Sequence, residues 1–331
     1  MTDDSRIKEL RRIREENNRM AYALSDYINE YPCAITASLM KEADPDGDLP
    51  EERLYKALMS GICGINENDI EANGYIAEGV CKLSPEKYAG DPYYSEIKFP
   101  DVSGGGWKFT HSYYRPFEAF VRDDVLLKDD FREIQRIGYF SERFVFPSVL
   151  QNGREWMAIK PSEVETMRPV IEKVRGKVAA FGLGAGYFAY MAALKDETES
   201  VTVIERDPEA IALFNRYILP QFEHREKIKT VRYDAFEYME KVMPDMAYDY
   251  AFVDLWHDNS DGPELFLRAK PLEKLSPDTE FFYWAQEYLF SAIRWNRFDQ
   301  IIKKAETYEE VLYDLGDDSL SDACMQSTGR V

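Results

Sequence analysis

The sequence predicts an α/β protein, with a doubly wound, mostly parallel sheet in its C-terminal half and a helical and β-rich domain before it. Three observations predict this. After Pro161, short β-branched and aromatic runs alternate regularly with helical periods, the pattern of a parallel sheet covered on both faces. A glycine-rich turn, with Gly182, Gly184 and Gly186, lies where the first of those strands meets a helix. Before residue 150 the texture is different, first charged and helical, then rich in aromatics, Pro and Gly. The boundary is placed at 150/151, giving domains 1–150 and 151–331.

Taken in order, residues 4–30 read as a long charged helix, with Ile7, Leu10, Ile13, Met20, Ala23 and Leu24 near helical spacing. The turn cluster ADPDGDLP at 43–50 precedes a helix, EERLYKALMSGI, and another helix starts near Asn68–Asp69 and runs towards Lys82. Asp44, Asp46 and Asp48 alternate as in a calcium loop, but the spacing then fails and no closing glutamate follows. SGGGW at 103–107 reads as a flexible loop. FREIQRIGYF and RFVFPSVL read as β segments, and Asn152–Gly153 before REWMAI is a hairpin signal. Beyond Pro161 come a helix ending at Gly176, strand KVAAF, a helix over 187–195, strand SVTVIE and helix PEAIALFNRYI. Strand KIKTVRY, helix AFEYMEKV, strand YDYAFVDL, helix GPELFLRAK, strand TEFFYW and a helix through about 304 complete the series. Right-handed crossovers turn such a series into a Rossmann-like domain with its ligand crevice at the carboxyl ends of the strands.

The composition narrows the function classes. The chain has 331 residues, of which 45% are hydrophobic and 14% aromatic, so it can fill real cores. No stretch approaches the roughly 20 apolar residues that span a bilayer. The N-terminus is charged throughout and lacks the apolar segment of a signal peptide, so a soluble cytoplasmic protein without membrane partners is expected. The formal net charge of −20 repels polyanions, which speaks against nucleic acid and favours cationic small molecules. Cys33, Cys63, Cys81 and Cys324 form no CxxC pair and have no neighbouring His, so no metal site is expected and reduced thiols are the default.

The chemistry centres on KVAAFGLGAGYF. A sharp strand-to-helix turn needs residues without Cβ, and they let a ligand approach the backbone. The next strand ends in Glu205, 23 positions after Gly182, where a carboxylate can accept both hydroxyls of a ribose. A dinucleotide fingerprint would need Gly at 187, where Tyr187 stands, so NAD is disfavoured.

The G-x-G-x-G spacing resembles motif I of class I S-adenosylmethionine-dependent methyltransferases, and the resemblance extends over roughly residues 155–290. It implies that Gly182, Gly184 and Gly186 hold the homocysteine part of S-adenosylmethionine and that Glu205 binds the ribose. Asp234 and Ala235 then contact adenine, and Asp254 sits where the methionine part meets the acceptor. Many members carry an acid two positions before the first glycine. Here it is Ala180, so contact to the cofactor amine must come from elsewhere. Spermidine synthases are similar at that point and along VIERDPEAIALFNRYILPQF, but their amine-binding Asp corresponds to Ala185. The stretch after residue 304 is short for a final β-hairpin, so the sheet is expected to lack one or two strands.

On the acceptor side, Asp254 and His257 are the candidate catalytic residues, His257 because its ordinary pKa suits proton removal near neutrality. Trp256, Asp258, Tyr113 and Tyr114 are candidate substrate contacts. Asp258 and Asp261 would pair with a cationic acceptor or cap the helix before GPELF. Trp107, His111, Tyr113, Tyr114 and Arg115 form an aromatic and polar cluster suited to covering a pocket. The function expected is methyl transfer to a small-molecule acceptor. A spermidine synthase-like aminopropyltransferase and a non-catalytic cofactor-binding protein are the alternatives, and a homodimer remains open. Methyl transfer rests on in-line approach and orientation, and needs a base only when the nucleophile arrives protonated.

Overall fold

The long N-terminal helix α1 (Asp3–Glu30) buries a stripe that repeats every three or four residues: Ile13, Asn17, Met20, Leu24 and Tyr27. The computed structural model describes residues 3–256 and 261–315, with side chains from residue 6 to residue 303. Asn17 is the polar member of the stripe, and three hydrogen bonds satisfy it. Its amide donates to the Phe131 carbonyl, and its side-chain oxygen accepts from the Tyr75 hydroxyl and the Glu133 amide. Helices α2 (Glu51–Ile62) and α3 (Ile70–Gly79) belong to the same part, with a short helix at Ala37–Ala43 and a small sheet of Val80–Lys82, Ile137–Tyr139 and Phe120–Val121. Their core is aromatic, with Tyr55 stacked on Tyr139 at 3.7 Å between ring centroids. Asp44 spends its carboxylate on the turn that follows, accepting from the Asp48 and Leu49 amides.

A four-stranded antiparallel sheet comes next, in the order β1 (Val102–Gly104), β2 (Trp107–Tyr114), β3 (Phe144–Gln151), β4 (Arg154–Ala158). Asn152 and Gly153 both take left-handed φ values, as a two-residue hairpin requires. The glycine run 103–107, expected as a flexible loop, is instead a second tight hairpin, with Gly104 paired to Trp107 and Ser103 to Lys108. The two hairpin tips are tied together, since the Asn152 amide donates to the Gly106 carbonyl at 2.8 Å. Strand β3 itself runs across residue 150, where the sequence suggested a domain boundary.

Helix α5 (Pro161–Lys173) leads into the second sheet, after the short α4 (Pro92–Glu96) between the helical part and β1. The sheet contains β5 (Gly176–Phe181), β6 (Thr198–Glu205), β7 (Ile228–Arg232), β8 (Tyr250–Val253) and β9 (Glu280–Tyr283). The spatial order is β7-β6-β5-β8-β9 and every pairing is parallel. Helices α6 (Tyr187–Ala193), α7 (Pro208–Tyr217), α8 (Ala235–Lys241) and α9 (Gly262–Ala269) connect them in turn. In β5 and β8 consecutive residues are buried, from Val178 to Phe181 and from Tyr250 to Val253. Successive side chains point to opposite faces, so both faces of the sheet centre are covered. This is the 3-2-1-4-5 arrangement of a Rossmann-like sheet, and among the described residues it ends at its fifth strand.

One apolar core joins the two sheets, from Trp107, Phe109 and Phe146 through Met167 and Val178 to Phe188 and Phe214. Residues 1–287 form one compact unit, and residues 288–331 form another. Among its described residues the second unit is the continuation of helix α10 (Gln286–Leu315). No described helix is long and apolar enough to cross a membrane.

Candidate functional site

Strand order reverses between β5 and β8, and at such a point the loops leaving two neighbouring strands diverge and open a crevice. The protein has a cavity of about 450 Å³ at this place. Its wall contains Gly182, Gly184, Glu205, Asp234, Ala235, Asp254 and Trp256, all named in the sequence analysis and brought by four turns at the carboxyl edge.

Gly182 is fixed by close approach. A Cβ there would lie 2.1 Å from the Asp254 carbonyl oxygen, and its φ of 100° is closed to ordinary side chains. The turn of β5 and the end of β8 therefore touch backbone to backbone, and the Asp254 amide donates to the Phe181 carbonyl at 2.9 Å. Gly184 faces the cavity against Met157. Gly186 does not line it. A Cβ at 186 would meet the Phe214 ring at 2.3 Å, so this glycine serves helix packing rather than a ligand.

Glu205 is held in place by two backbone donors. Its Oε2 accepts from the Leu183 amide at 3.3 Å and its Oε1 from the Asp207 amide at 2.8 Å. A carboxylate has about four acceptor positions, so each oxygen retains capacity for a hydroxyl from the cavity. Asp234 caps α8, and both of its bonds, from the Phe236 and Glu237 amides, go to Oδ1. Arg268 covers the Phe236 ring at 3.8 Å, on the same wall.

The glycine turn is also anchored from the N-terminal part of the chain. The buried Tyr93 hydroxyl donates to the Ala185 carbonyl at 2.6 Å, and the Tyr187 hydroxyl donates to Asp91 Oδ2 at 2.9 Å. Asp91 in turn accepts from the Tyr93 amide at the start of α4.

Two carboxylates share one end of the cavity. Glu163 projects from the first turn of α5, is only 7% exposed, and makes no ion pair among the described residues. Asp254 keeps some surface towards the cavity but is otherwise closely surrounded by protein. Burial pushes Glu163 up to about 7, Lys160 opposing and Glu155 assisting. Burial also raises Asp254 well above the usual carboxylate range, and the charge of Glu163 adds to this. Lys160 is itself matched, its Nζ lying 2.9 Å from Glu155 Oε1. The Trp284 indole N–H also opposes the rise at Glu163, and it donates to Thr166 Oγ1 at 3.1 Å.

The other predicted residues lie elsewhere. Tyr113 is exposed on β2 beneath the Arg143 guanidinium, and Tyr114 is stacked on Phe120 at 3.8 Å. Neither lines the cavity, nor do Trp107, His111 and Arg115. Trp107 packs edge-on against Trp156, which does line it. Trp256 is buried and parallel to Tyr283, so packing accounts for most of its surface. Asp261 stands at the start of α9 without a side-chain cap bond and faces the cavity. His257 and Asp258 lie outside the described residues. Sequence reasoning missed Glu163, Trp156 and Met157, whereas Trp284 falls in the loop near 284–288 that it expected to contribute to specificity. An acid in the first turn of a helix is the ordinary partner of the helix dipole, so Glu163 gave no signal of its own.

No family model matches the chain, and no curated protein matches it. Among solved structures, a Staphylococcus aureus protein assigned as a caffeoyl-CoA O-methyltransferase aligns at 22% identity and a TM-score of 0.26, covering 32% of this chain and 51% of that one. Spermidine synthase from Thermotoga maritima aligns at 16% identity and a TM-score of 0.26, covering 33% and 42%. A spermidine synthase in complex with the transition state analogue AdoDATO aligns at 15% identity and a TM-score of 0.29, covering 39% and 50%. The chain thus spans about half or less of the length of these neighbours.

Proposed function

We propose that the chain is an S-adenosylmethionine-dependent methyltransferase acting on a small-molecule acceptor. The observation that carries this reading is the convergence of the glycine turn, Glu205, Asp234 and Asp254 on one cavity at the sheet's reversal point. The residues present suit a nucleoside with a cationic arm. Glu205 has acceptor capacity for a ribose, Phe236 and Leu265 offer apolar walls for a base, and Asp234 stands beside them. Asp254 and Glu163 supply negative charge where a sulfonium and an ammonium would need it. The cavity volume lies within the roughly 300–1,000 Å³ of small-molecule sites.

When bound, S-adenosylmethionine supplies a methyl group activated by a positively charged sulfur. The chain's own residues would do three things. Glu205 and the 182–184 turn would bind and orient the nucleoside. Trp156, Met157 and Trp284 would exclude water from the acidic end. Asp254, open to the cavity, would hold or accept a proton from an acceptor that arrives protonated.

A second reading is favoured by one observation. The two carboxylates at one end of the cavity oppose a ligand that itself carries a carboxylate there, and suit decarboxylated S-adenosylmethionine and aminopropyl transfer. Calorimetric titration with S-adenosylmethionine, S-adenosylhomocysteine, decarboxylated S-adenosylmethionine and NAD separates these readings. Micromolar binding, about −8 kcal/mol, of the first two supports methyl transfer. Preference for the decarboxylated compound supports the second reading, and folded protein that binds none of them refutes both.

A further inference from the structure

The acidic end of the cavity carries chemistry that the nucleoside contacts do not use. The glycine turn contributes no acid of its own, since Ala180 and Ala185 are apolar and buried. Negative charge at this end comes from two separate elements, Glu163 from the helix before the sheet and Asp254 from the end of β8. A buried carboxylate without an ionic partner is costly, so such a group either carries a proton or waits for a cation. Glu163 is in this position, nine-tenths buried, set in the cavity wall and unmatched by any cation among the described residues.

We propose that Glu163 and Asp254 together form an ammonium-binding subsite, and that a proton held on Glu163 leaves when an amine-bearing ligand enters. The inference rests on the nucleoside reading of the cavity and adds the group its acidic end recognises. A primary ammonium brings the charge and the N–H donors that two carboxylates can accept. The cavity wall also contains Trp156, Met157 and Trp284, whose aromatic and polarisable surfaces suit an organic cation. The balance is simple. One proton held on the Glu163 carboxyl group leaves to solvent, and the ammonium takes its place with its own protons retained.

The surrounding charges set the pH range. Lys160 and Glu155 act on Glu163 with opposite signs and are paired with each other. Farther round the cavity stand Glu205, Asp234, Asp261 and Glu264, with Arg206 and Arg268 as the cations. Burial raises Glu163 to about 7 and Asp254 above the usual carboxylate range, so Glu163 holds a proton it can release near neutrality in the free protein.

Calorimetry of the full chain near pH 7, in two buffers of different ionisation enthalpy, tests this. The probes are S-adenosylhomocysteine, which carries an amine, and 5′-methylthioadenosine, which does not. Proton release with the first and none with the second is expected, shrinking as pH rises through about 7, where Glu163 ionises in the free protein. Glu163→Gln should abolish the release and weaken S-adenosylhomocysteine on the order of ten- to a hundredfold, the range for a lost charged hydrogen bond. Its affinity for 5′-methylthioadenosine should stay within about twofold, as expected for a ligand that makes no such bond. Release that appears only when putrescine is added to the methylthioadenosine complex also supports the subsite and assigns the amine to the acceptor. Equal binding of both nucleosides, with no release in any arm, overturns the subsite and leaves the nucleoside reading standing. Failure of both nucleosides to bind overturns the two together. The wild-type arms decide the matter even if the variant does not fold.

Discussion

Replacing Gly182 by alanine should damage the fold far more than the same change two residues later. The new Cβ would lie 2.1 Å from the Asp254 carbonyl oxygen, an atom of the backbone that cannot swing aside. A φ of 100° adds strain of about 1–3 kcal/mol for a residue with a side chain. Relieving the overlap costs about 1–3 kcal/mol more, as in other overpacked sites. Separating the strand ends also puts at risk the bond from the Asp254 amide to the Phe181 carbonyl, worth about 1 kcal/mol. The total, roughly 3–7 kcal/mol, is a large part of the 5–15 kcal/mol that hold an ordinary domain together. At about 2 °C per kcal/mol for a unit of this size, the melting temperature should fall by roughly 6–14 °C. At Gly184 the added Cβ would sit 3.2 Å from Met157 Cε, the end of a flexible side chain, and φ is 51°. Alanine tolerates that conformation at a cost of about 1–2 kcal/mol. Gly184→Ala should therefore melt within roughly 4 °C of the wild type and lose nucleoside affinity through intrusion into the cavity. Thermal melts followed by circular dichroism and calorimetric affinities measure both. A Gly182→Ala protein that melts like the wild type, or below which Gly184→Ala falls, would refute the backbone-contact argument.

Three further outcomes are expected. Glu163 has a folded-state pKa of about 7 against 4.5 for an ordinary glutamate, so the native state binds the extra proton and loses stability as pH rises from about 4.5 through 7. The loss is about 3 kcal/mol at 1.4 kcal/mol per unit. Glu163→Gln should flatten the profile of stability against pH and exceed the wild type at pH 8, and parallel urea-midpoint profiles for the two proteins between pH 5 and 8 would contradict this. Glu205→Ala should weaken adenosine binding on the order of tenfold or more. It should also erase the difference between adenosine and 2′-deoxyadenosine, so persistence of that difference would remove Glu205 from the ribose. Tyr93→Phe leaves the buried Ala185 carbonyl without its 2.6 Å donor and should cost about 1–3 kcal/mol in melting experiments. An unchanged melt would mean that the glycine turn does not depend on α4.

The alternation of strands and helices after Pro161 was legible because buried parallel strands are apolar on both faces and their crossover helices are periodic. The glycine turn, Glu205 and Asp234 were legible for a related reason. Strand ends and helix starts are local features, and the ligand crevice of such a sheet always lies at the same edge. Gly186 shows the limit of this reasoning. Its spacing suggests a ligand, whereas the Phe214 ring from the next crossover decides its role. The hairpin at 105–106 was missed because three glycines in a row suggest freedom, while the cross-strand register from Val102 to Phe109 removes it. Tyr113 and Tyr114 looked like pocket residues because they are aromatic and adjacent. Strand alternation sends them to opposite faces, one to solvent and one into the core. Glu163 was hidden for the opposite reason, since nothing local distinguishes a first-turn glutamate in water from one in a cavity wall.

The part of the chain before residue 150 is built into the site rather than laid over it. Tyr93 and Asp91 hold the glycine turn from behind, through Ala185 and Tyr187. Trp107 supports Trp156, and Met157 on β4 meets Gly184 across the cavity wall. The antiparallel sheet and the parallel sheet share one continuous core, so a change in the first is transmitted to the cavity by packed side chains and two buried hydrogen bonds. The acidic end of the cavity has the same composite origin. Asp254 comes from the parallel sheet, and Glu163 from the helix that joins it to the antiparallel one. Discrimination among cationic ligands should therefore respond to substitutions on β4 and α5 as strongly as to those on the glycine turn. The glycine turn, Glu205 and Asp234 are separate in sequence from Glu163, and all of them meet in the wall of one cavity.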